Sequence, residues 1–347
     1  NQFLDNKAPD WRESQTLNPE KKPAWLTPTV NGLANELMTR VNSAAAINGM
    51  ALTALCLLAS KTQTMSKTEL AQAMRDYLAL FELAPYSANA TLPKDDADAL
   101  LDHTLSLKRL QVSEDNYGTL ISPMPDNAVF LTYYRNNIIH LFALPGIVMT
   151  AIFAHGKLEK TNILQLIAAL YPLLQRELFL HLSQDEALAY TAQLIDAFKQ
   201  TGMLQQKGRY LALPEADSEQ FHSSWLLSRC MQETLQRYAV VLTILKRDKS
   251  ISRNALERES KTVAERLSKL YGMHSPEFYD KNVLSSFISA LRDNHWLDAG
   301  EDGSLKYSEE ASALRKDIMA LVWPEIVQHL QQDILQADRE AGADEKV

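Results

Sequence analysis

Met65-Ser66-Lys67, Leu158-Glu159-Lys160 and Ile251-Ser252-Arg253 stand 93 residues apart, and each is an apolar residue, a polar residue and a cation. Each triplet leads into a stretch whose apolar residues recur at three-and-four spacing, as on a helix with one buried face. These are Leu70, Met74 and Leu78, then Ile163, Ile167 and Leu170, then Leu256, Val263 and Leu267. A fixed period of this kind marks a repeated supersecondary unit, and the rest of each repeat reads alike. A second helix is expected over 97–109, 187–200 and 283–294, with Asp95, Asp96 and Asp98 as an acidic first turn at the positive end of the first of these. Two short strand-like runs follow in each case: Gln111-Val112 and 119–121, Met203-Leu204 and 210–213, Trp296-Leu297 and 305–307. The turns between them carry Asn116-Tyr117-Gly118, Lys207-Gly208 and Asp302-Gly303, where glycine relieves the positive φ of a hairpin.

Helix, helix, hairpin is the plan of a winged helix. The expected fold is therefore mainly α: tandem winged-helix-like units joined by long apolar helices. The joining helices are expected over 31–63, 128–155, 220–246 and 311–337. The units fall at 29–126, 127–219 and 220–310, after a leading segment 1–28 and before a terminal helix 311–338 and a disordered tail 339–347.

Two stretches, 44–59 and 141–154, are apolar enough to raise the question of a membrane. A spanning helix needs about 20 predominantly apolar residues. The first is shorter and broken by Asn48, and the second carries Pro145-Gly146 between Arg135 and His155. Both occupy the place in their repeats that 238–245 occupies in the third. A shared core position explains that, and interfacial contact with lipid remains as the alternative.

Residues 132–140, Thr-Tyr-Tyr-Arg-Asn-Asn-Ile-Ile-His, run straight into the second apolar stretch. Buried polar groups left unpaired cost roughly 1–3 kcal/mol each, so this cluster should be hydrogen-bonded. On a helix Tyr133, Asn137 and His140 share one face. With Tyr134, Arg135 and Asn136 they form the candidate site. Two roles are open: a network that locks this helix to its neighbours, or a docking surface. In the second, Arg135 pairs with a carboxylate or a substrate phosphate, which its planar fork suits.

The same stretch, together with Pro23-Ala24-Trp25-Leu26-Thr27-Pro28 and the blocks 41–60, 233–239 and 256–286, resembles the C-terminal half of the bacterial membrane-bound glycerol-3-phosphate 1-O-acyltransferases. The blocks follow the family's order from about residue 20 to about residue 300. In that family the chemistry lies upstream, on a His-x-x-x-x-Asp motif whose histidine is the general base and whose aspartate orients it. Here His103, His140, His155, His181, His222, His274, His295 and His329 are followed at that offset by Lys108, Pro145, Lys160, Glu186, Leu227, Tyr279, Gly300 and Ile334. His181 with Glu186 comes nearest. The family's glycine-rich and arginine-bearing phosphate blocks are also missing.

The resemblance thus implies a non-catalytic C-terminal region acting as scaffold or as a regulatory or docking part. It implies no catalytic, cofactor-binding or metal-ligating residue, and makes 1–28 a link from an upstream catalytic domain. The whole enzyme would transfer an acyl group from acyl-CoA or acyl carrier protein to the 1-hydroxyl of glycerol 3-phosphate, the first step of phospholipid synthesis. The implied partners are that catalytic domain, acyl carrier protein, the membrane surface or other phospholipid-synthesis enzymes, at the cytoplasmic side of the inner membrane. The chain opens at Asn1 without a charged-then-apolar leader, which reads as a cut fragment with no secretory signal.

Nucleophile-elbow, P-loop, dinucleotide, zinc-protease and Cys-x-x-Cys motifs are absent from the sequence. A net charge of −8 disfavours nucleic acid, whose binding depends on Lys and Arg neutralising phosphate. A winged-helix array that binds nucleic acid or partner proteins is the alternative. Its best basic patch is Lys246, Arg247, Lys249, Arg253 and Arg258, which reads more readily as a solvated charged loop. Glu257, Glu259, Lys261 and Arg266 read as a solvated face. Cys56 and Cys230, both in apolar surroundings, suit buried reduced thiols rather than a disulfide.

Overall fold

The repeated triplets are strand-to-helix junctions in a computed structural model that describes residues 2–9, 11–14, 22–124, 128–248, 250–273, 275–300 and 303–332. The first part of the chain comprises α1 (Gln2–Lys7), α2 (Trp11–Ser14), α3 (Leu26–Ser43), α4 (Gly49–Ala59), β1 (Met65–Ser66), α5 (Lys67–Leu83), α6 (Ala97–Ser106), β2 (Leu110–Asp115) and β3 (Gly118–Pro123). The second comprises α7 (Ala128–Asn136), α8 (Ala143–His155), β4 (Lys157–Glu159), α9 (Lys160–Leu178), α10 (Gln184–Gln200), β5 (Gln205–Lys207) and β6 (Tyr210–Ala212). The third comprises α11 (Glu219–Arg229), α12 (Gln232–Asp248), β7 (Ser250–Ile251), α13 (Arg253–Tyr271), a 3-10 turn (Pro276–Tyr279), α14 (Lys281–Asp293), β8 (Leu297–Ala299), β9 (Leu305–Tyr307) and α15 (Glu309–Leu321).

Each position of the triplet has a distinct physical job. The apolar residue lies in a short strand and faces an apolar residue of the last strand: Met65 opposite Ile121, Leu158 opposite Leu211, Ile251 opposite Leu305. The polar residue is the N-cap of the next helix. Ser66 and Ser252 accept backbone N–H groups from Glu69 and Ala255, and Glu69 closes a capping box on Ser66. The cation opens the helix and reaches across to the second helix of its own unit. Lys67 Nζ lies 2.6 Å from Asp102, Lys160 Nζ 3.9 Å from Asp196, and Arg253 Nη2 2.7 Å from the hydroxyls of Ser285 and Ser289. The two lysine pairs are largely exposed and contribute little to stability; they mark the equivalence of the units.

All three sheets have the same order, with the strand before the helix pair joined to the last strand of the hairpin: β1-β3-β2, β4-β6-β5 and β7-β9-β8. That leading strand is absent from the sequence reading, which takes the triplets as helix starts. Two residues are too few for alternation to show. Met203 and Leu204, expected as a strand, are instead the buried approach to β5, which begins at Gln205.

The long joining helices are each broken in two. Asn48 interrupts the first, where its side chain caps α4 by accepting the N–H of Ala51 at 3.0 Å. The second breaks over 137–142, where i→i+3 bonds such as Ile138 N–H to Arg135 O replace helical ones. Pro145 accounts for this, since it lacks an N–H and fits only the first turn of α8. The third breaks at Cys230-Met231, against which Gly146 of α8 is pressed. A Cβ at position 146 would lie 2.6 Å from Cys230 Sγ. The last segment breaks at Val322-Trp323 and resumes from 324. Residues beyond 332, including the tail expected over 339–347, lie outside the described residues, as does Asp302 of the third hairpin turn.

The two stretches that raised the membrane question form core. Every residue of 143–152 is buried, as is nearly all of α4. A helix apolar all round belongs inside a large core. Among the described residues no helix is long and apolar enough to cross a membrane. Cys56 and Cys230 are both free and buried, and burial pushes their thiol pKa values up, to about 12 for Cys230.

Candidate functional site

Arg135 closes α7 and is almost wholly buried, so its charge must be met within the protein. It is met by two carboxylates from distant segments. One Nη donates to Glu233 of α12 at 2.7 Å, and the other to Glu277 of the 3-10 turn. Ser275 Oγ lies within 2.7–2.8 Å of both Glu233 carboxylate oxygens, and Asn136 Nδ2 donates to Glu277 at 2.9 Å. A second buried pair, Arg237 of α12 with Glu177 of α9, lies one helical turn along from Glu233. Burial by itself would raise the Glu233 carboxyl, but Arg135, the Ser275 hydroxyl and Arg237 together hold it below the usual carboxylate range.

The rest of the 133–140 cluster separates. Tyr133 and Asn137 are exposed, Tyr134 packs against the core, and His140 is buried. The single face expected for Tyr133, Asn137 and His140 does not form, because α7 ends at Asn136 and the chain turns. His140 Nε2 lies 2.9 Å from the carbonyl of Asn42, so that nitrogen carries the proton and donates. Its ring stands edge-on to Tyr86 at 5.7 Å, and Tyr86 meets His181 at 4.7 Å. His181 and Glu186, the nearest approach to a base-and-acid pair in sequence, have separate tasks. Glu186 caps α10 by accepting the backbone N–H of Ser183 at 2.7 Å.

Two clefts flank the Arg135–Glu233 pair, which lines both. One, of about 210 Å³, opens toward Lys61, Arg229, Gln236 and Trp323. The other, of about 240 Å³, opens toward Met38, His140, Glu177 and Arg237. Both guanidinium arms of Arg135 are engaged by carboxylates, so neither cleft offers it free to a phosphate. Among the described residues no group of three or more His, Cys, Asp or Glu side chains is placed to hold a metal ion.

The basic patch is neutralised in part, at Arg247 and Arg253, while Lys246 and Arg258 are exposed. Arg247 pairs with Asp248 and Glu259, and Arg253 with Glu257; Lys249 lies outside the described residues. Glu257 is buried rather than solvated.

Burial pushes the His140 pKa down from 6.5 to about 4, outweighing the bond to Asn42, with His181 adding to the depression. The unfolded chain takes up a proton near pH 6.5 and the native chain does not, so stability falls as pH drops from there toward 4. A gap of this size corresponds to roughly 3 kcal/mol. Urea midpoints at pH 7 and pH 5 should differ in the native chain, and His140→Gln should narrow that difference. An unchanged difference would assign the acid sensitivity to other groups.

The residues that sequence reasoning missed are Glu177, Glu233, Arg237, Ser275 and Glu277. Four of them sit in the blocks 233–239 and 256–286 that carried the resemblance, and Asn42 sits in 41–60. Three of the blocks, 132–140, 233–239 and 256–286, therefore meet in one polar network, and Asn42 of 41–60 lines the cleft beside it. Against known proteins, the family model described as the glycerol-3-phosphate acyltransferase C-terminal region matches residues 1–300. A glycerol-3-phosphate acyltransferase of Alteromonas mediterranea is 66% identical over 331 residues, covering 95% of this chain and 40% of the relative. One of Pseudoalteromonas atlantica is 52% identical over 330 residues, covering 95% and 41%. The chain belongs to the family of glycerol-3-phosphate acyltransferase C-terminal regions. It spans about two fifths of the length of these curated relatives.

Proposed function

We propose that this chain is a non-catalytic platform of a glycerol-3-phosphate 1-O-acyltransferase. The complete polypeptide would transfer an acyl group from acyl-CoA or acyl carrier protein to glycerol 3-phosphate at the cytoplasmic face of the inner membrane. The observation that carries this reading is the meeting of three of the resembling sequence blocks, 132–140, 233–239 and 256–286, in a buried ionic lock. That lock joins α7, α12 and the turn at 276–279, and its arginine is fully engaged. Such a network suits holding helices in register rather than turning over a substrate.

The units are winged-helix-like on this reading, with boundaries at 29–126, 127–219 and 220–310, a lead-in 1–28 and a terminal helix 311–338. The support is the threefold recurrence of helix, strand, two helices and a hairpin, with one sheet order throughout. The second helix of the pair is the one a winged helix presents to DNA. Here α6 carries Asp98 and Asp102, and α10 carries Asp185, Glu186 and Asp196. The acidic balance of these two helices disfavours phosphate, although Asp98, Asp102 and Asp196 are paired with cations and α14 of the third unit carries Lys281 and Arg292 with Asp293.

The test is truncation. A full-length polypeptide ending before this region should lose assembly into active enzyme, whereas full activity without it would overturn the platform role. Tight DNA binding with a steep salt slope by this chain would favour the nucleic-acid reading instead.

A further inference from the structure

The outer face of α3 is apolar and, among the described residues, uncovered. Val30, Leu33, Leu37, Met38 and Val41 are 40% to 63% exposed. At 100° per residue, Val30, Leu33, Leu37 and Val41 fall on one narrow stripe, with Met38 beside it. The helix is turned the unexpected way round. Its polar side faces the body: Asn31, Asn35 and Thr39 line a cleft with Gln175, Arg176 and Phe179 at the end of α9. Asn42 Nδ2 fixes that side by donating to the carbonyl of Leu178 at 2.7 Å. An amphipathic helix ordinarily buries its apolar stripe, and an exposed apolar stripe rimmed by polar residues marks an interaction site.

We propose that the α3 stripe is the seat of the region that precedes this one in the longer acyltransferase polypeptide. This rests on the reading of the chain as the C-terminal region of such a polypeptide. Three observations choose that occupant. The relatives carry about three fifths of their length outside the match, and the matched family is a C-terminal region. The helix lies at 26–43, in the first part of the matched residues 1–300. Its charge does not suit lipid: an interfacial helix carries Lys and Arg on its polar face, whereas α3 has only Arg40, 2.7 Å from Glu36.

The test places Leu37→Cys, and separately Val41→Cys, in this chain and in the full-length polypeptide. Iodoacetamide labelling at the substituted position is then followed by peptide mass spectrometry. Cys56 and Cys230 are buried with raised pKa values, so they react slowly and leave a low background. Without lipid, labelling in the full-length polypeptide should be slower by roughly tenfold or more, the protection expected of a covered surface. Equal rates in the two proteins would overturn the proposal. So would protection that appears only with vesicles of anionic phospholipid, or protection of this chain alone that grows with its own concentration. Acyl transfer is read in the same full-length preparation. Protection without turnover would sink the acyltransferase reading and leave the docking seat standing.

Discussion

Arg135→Ala is expected to destabilise the chain by about 3–5 kcal/mol, the usual cost of removing one partner from a buried ion pair. The loss is large because the carboxylates of Glu233 and Glu277 remain, each less than a third exposed, with their counter-charge gone. Removing the charges as well should separate two contributions. If the stranded carboxylates dominate, Arg135→Ala combined with Glu233→Gln and Glu277→Gln should recover much of the loss. Equilibrium urea unfolding of the parent, the single variant and the triple variant measures this. A single variant within about 0.5 kcal/mol of the parent, as at an ordinary surface site, would mean that the network is ornamental.

The pH dependence of that variant is part of the same expectation. Glu233 is held below the usual carboxylate range in the native chain. Its contribution is present above the unfolded carboxyl pKa of about 4.3 and is lost as pH falls through its lower native value. With Arg135 gone, burial acts on Glu233 with less opposition, and the carboxyl should move upward. The variant should then lose less stability than the parent on acidification through that range.

Phe142→Ala should cost about 3–5 kcal/mol as well, for a different reason. Phe142 is fully buried at the break between α7 and α8, edge-on to Tyr77 at 5.4 Å and to Phe81 at 5.0 Å. Truncating it leaves a cavity where the second unit packs on α5, and the rigid helices around it can close that space only in part. Phe130→Ala, earlier in the chain on α7 and 59% exposed, is the control and should shift the urea midpoint little. Comparable losses at the two positions would contradict the placement of the core.

Much of this architecture is legible in the chain because burial follows period. Of the residues read as one helical face per repeat, Leu70, Met74, Ile163, Ile167, Leu170, Leu256 and Leu267 are buried, and Leu78 and Val263 are half-buried. The repeat itself is visible because three physical requirements recur together: a strand residue, a cap and a cation. The breaks in the joining helices are harder to see. Asn48 and Pro145 are local signals, but the Cys230-Met231 break lies where Gly146 of another helix approaches, which no local pattern records. The candidate site was half legible. Arg135 stands out as a cation beside an apolar run, yet its partners lie 98 and 142 residues further on. Periodicity carries no information about such pairings. The expected Tyr133, Asn137 and His140 face fails for a related reason: it assumes that the helix continues, and the chain turns instead.

The most direct measurement of the central claim is acyl transfer by this purified chain alone, supplied with acyl-CoA and glycerol 3-phosphate and followed as 1-acyl-glycerol 3-phosphate. The platform reading predicts no product above the protein-free control, while the full-length polypeptide in the same assay forms it. Steady turnover by the chain on its own would contradict that reading and place the chemistry among the residues described above.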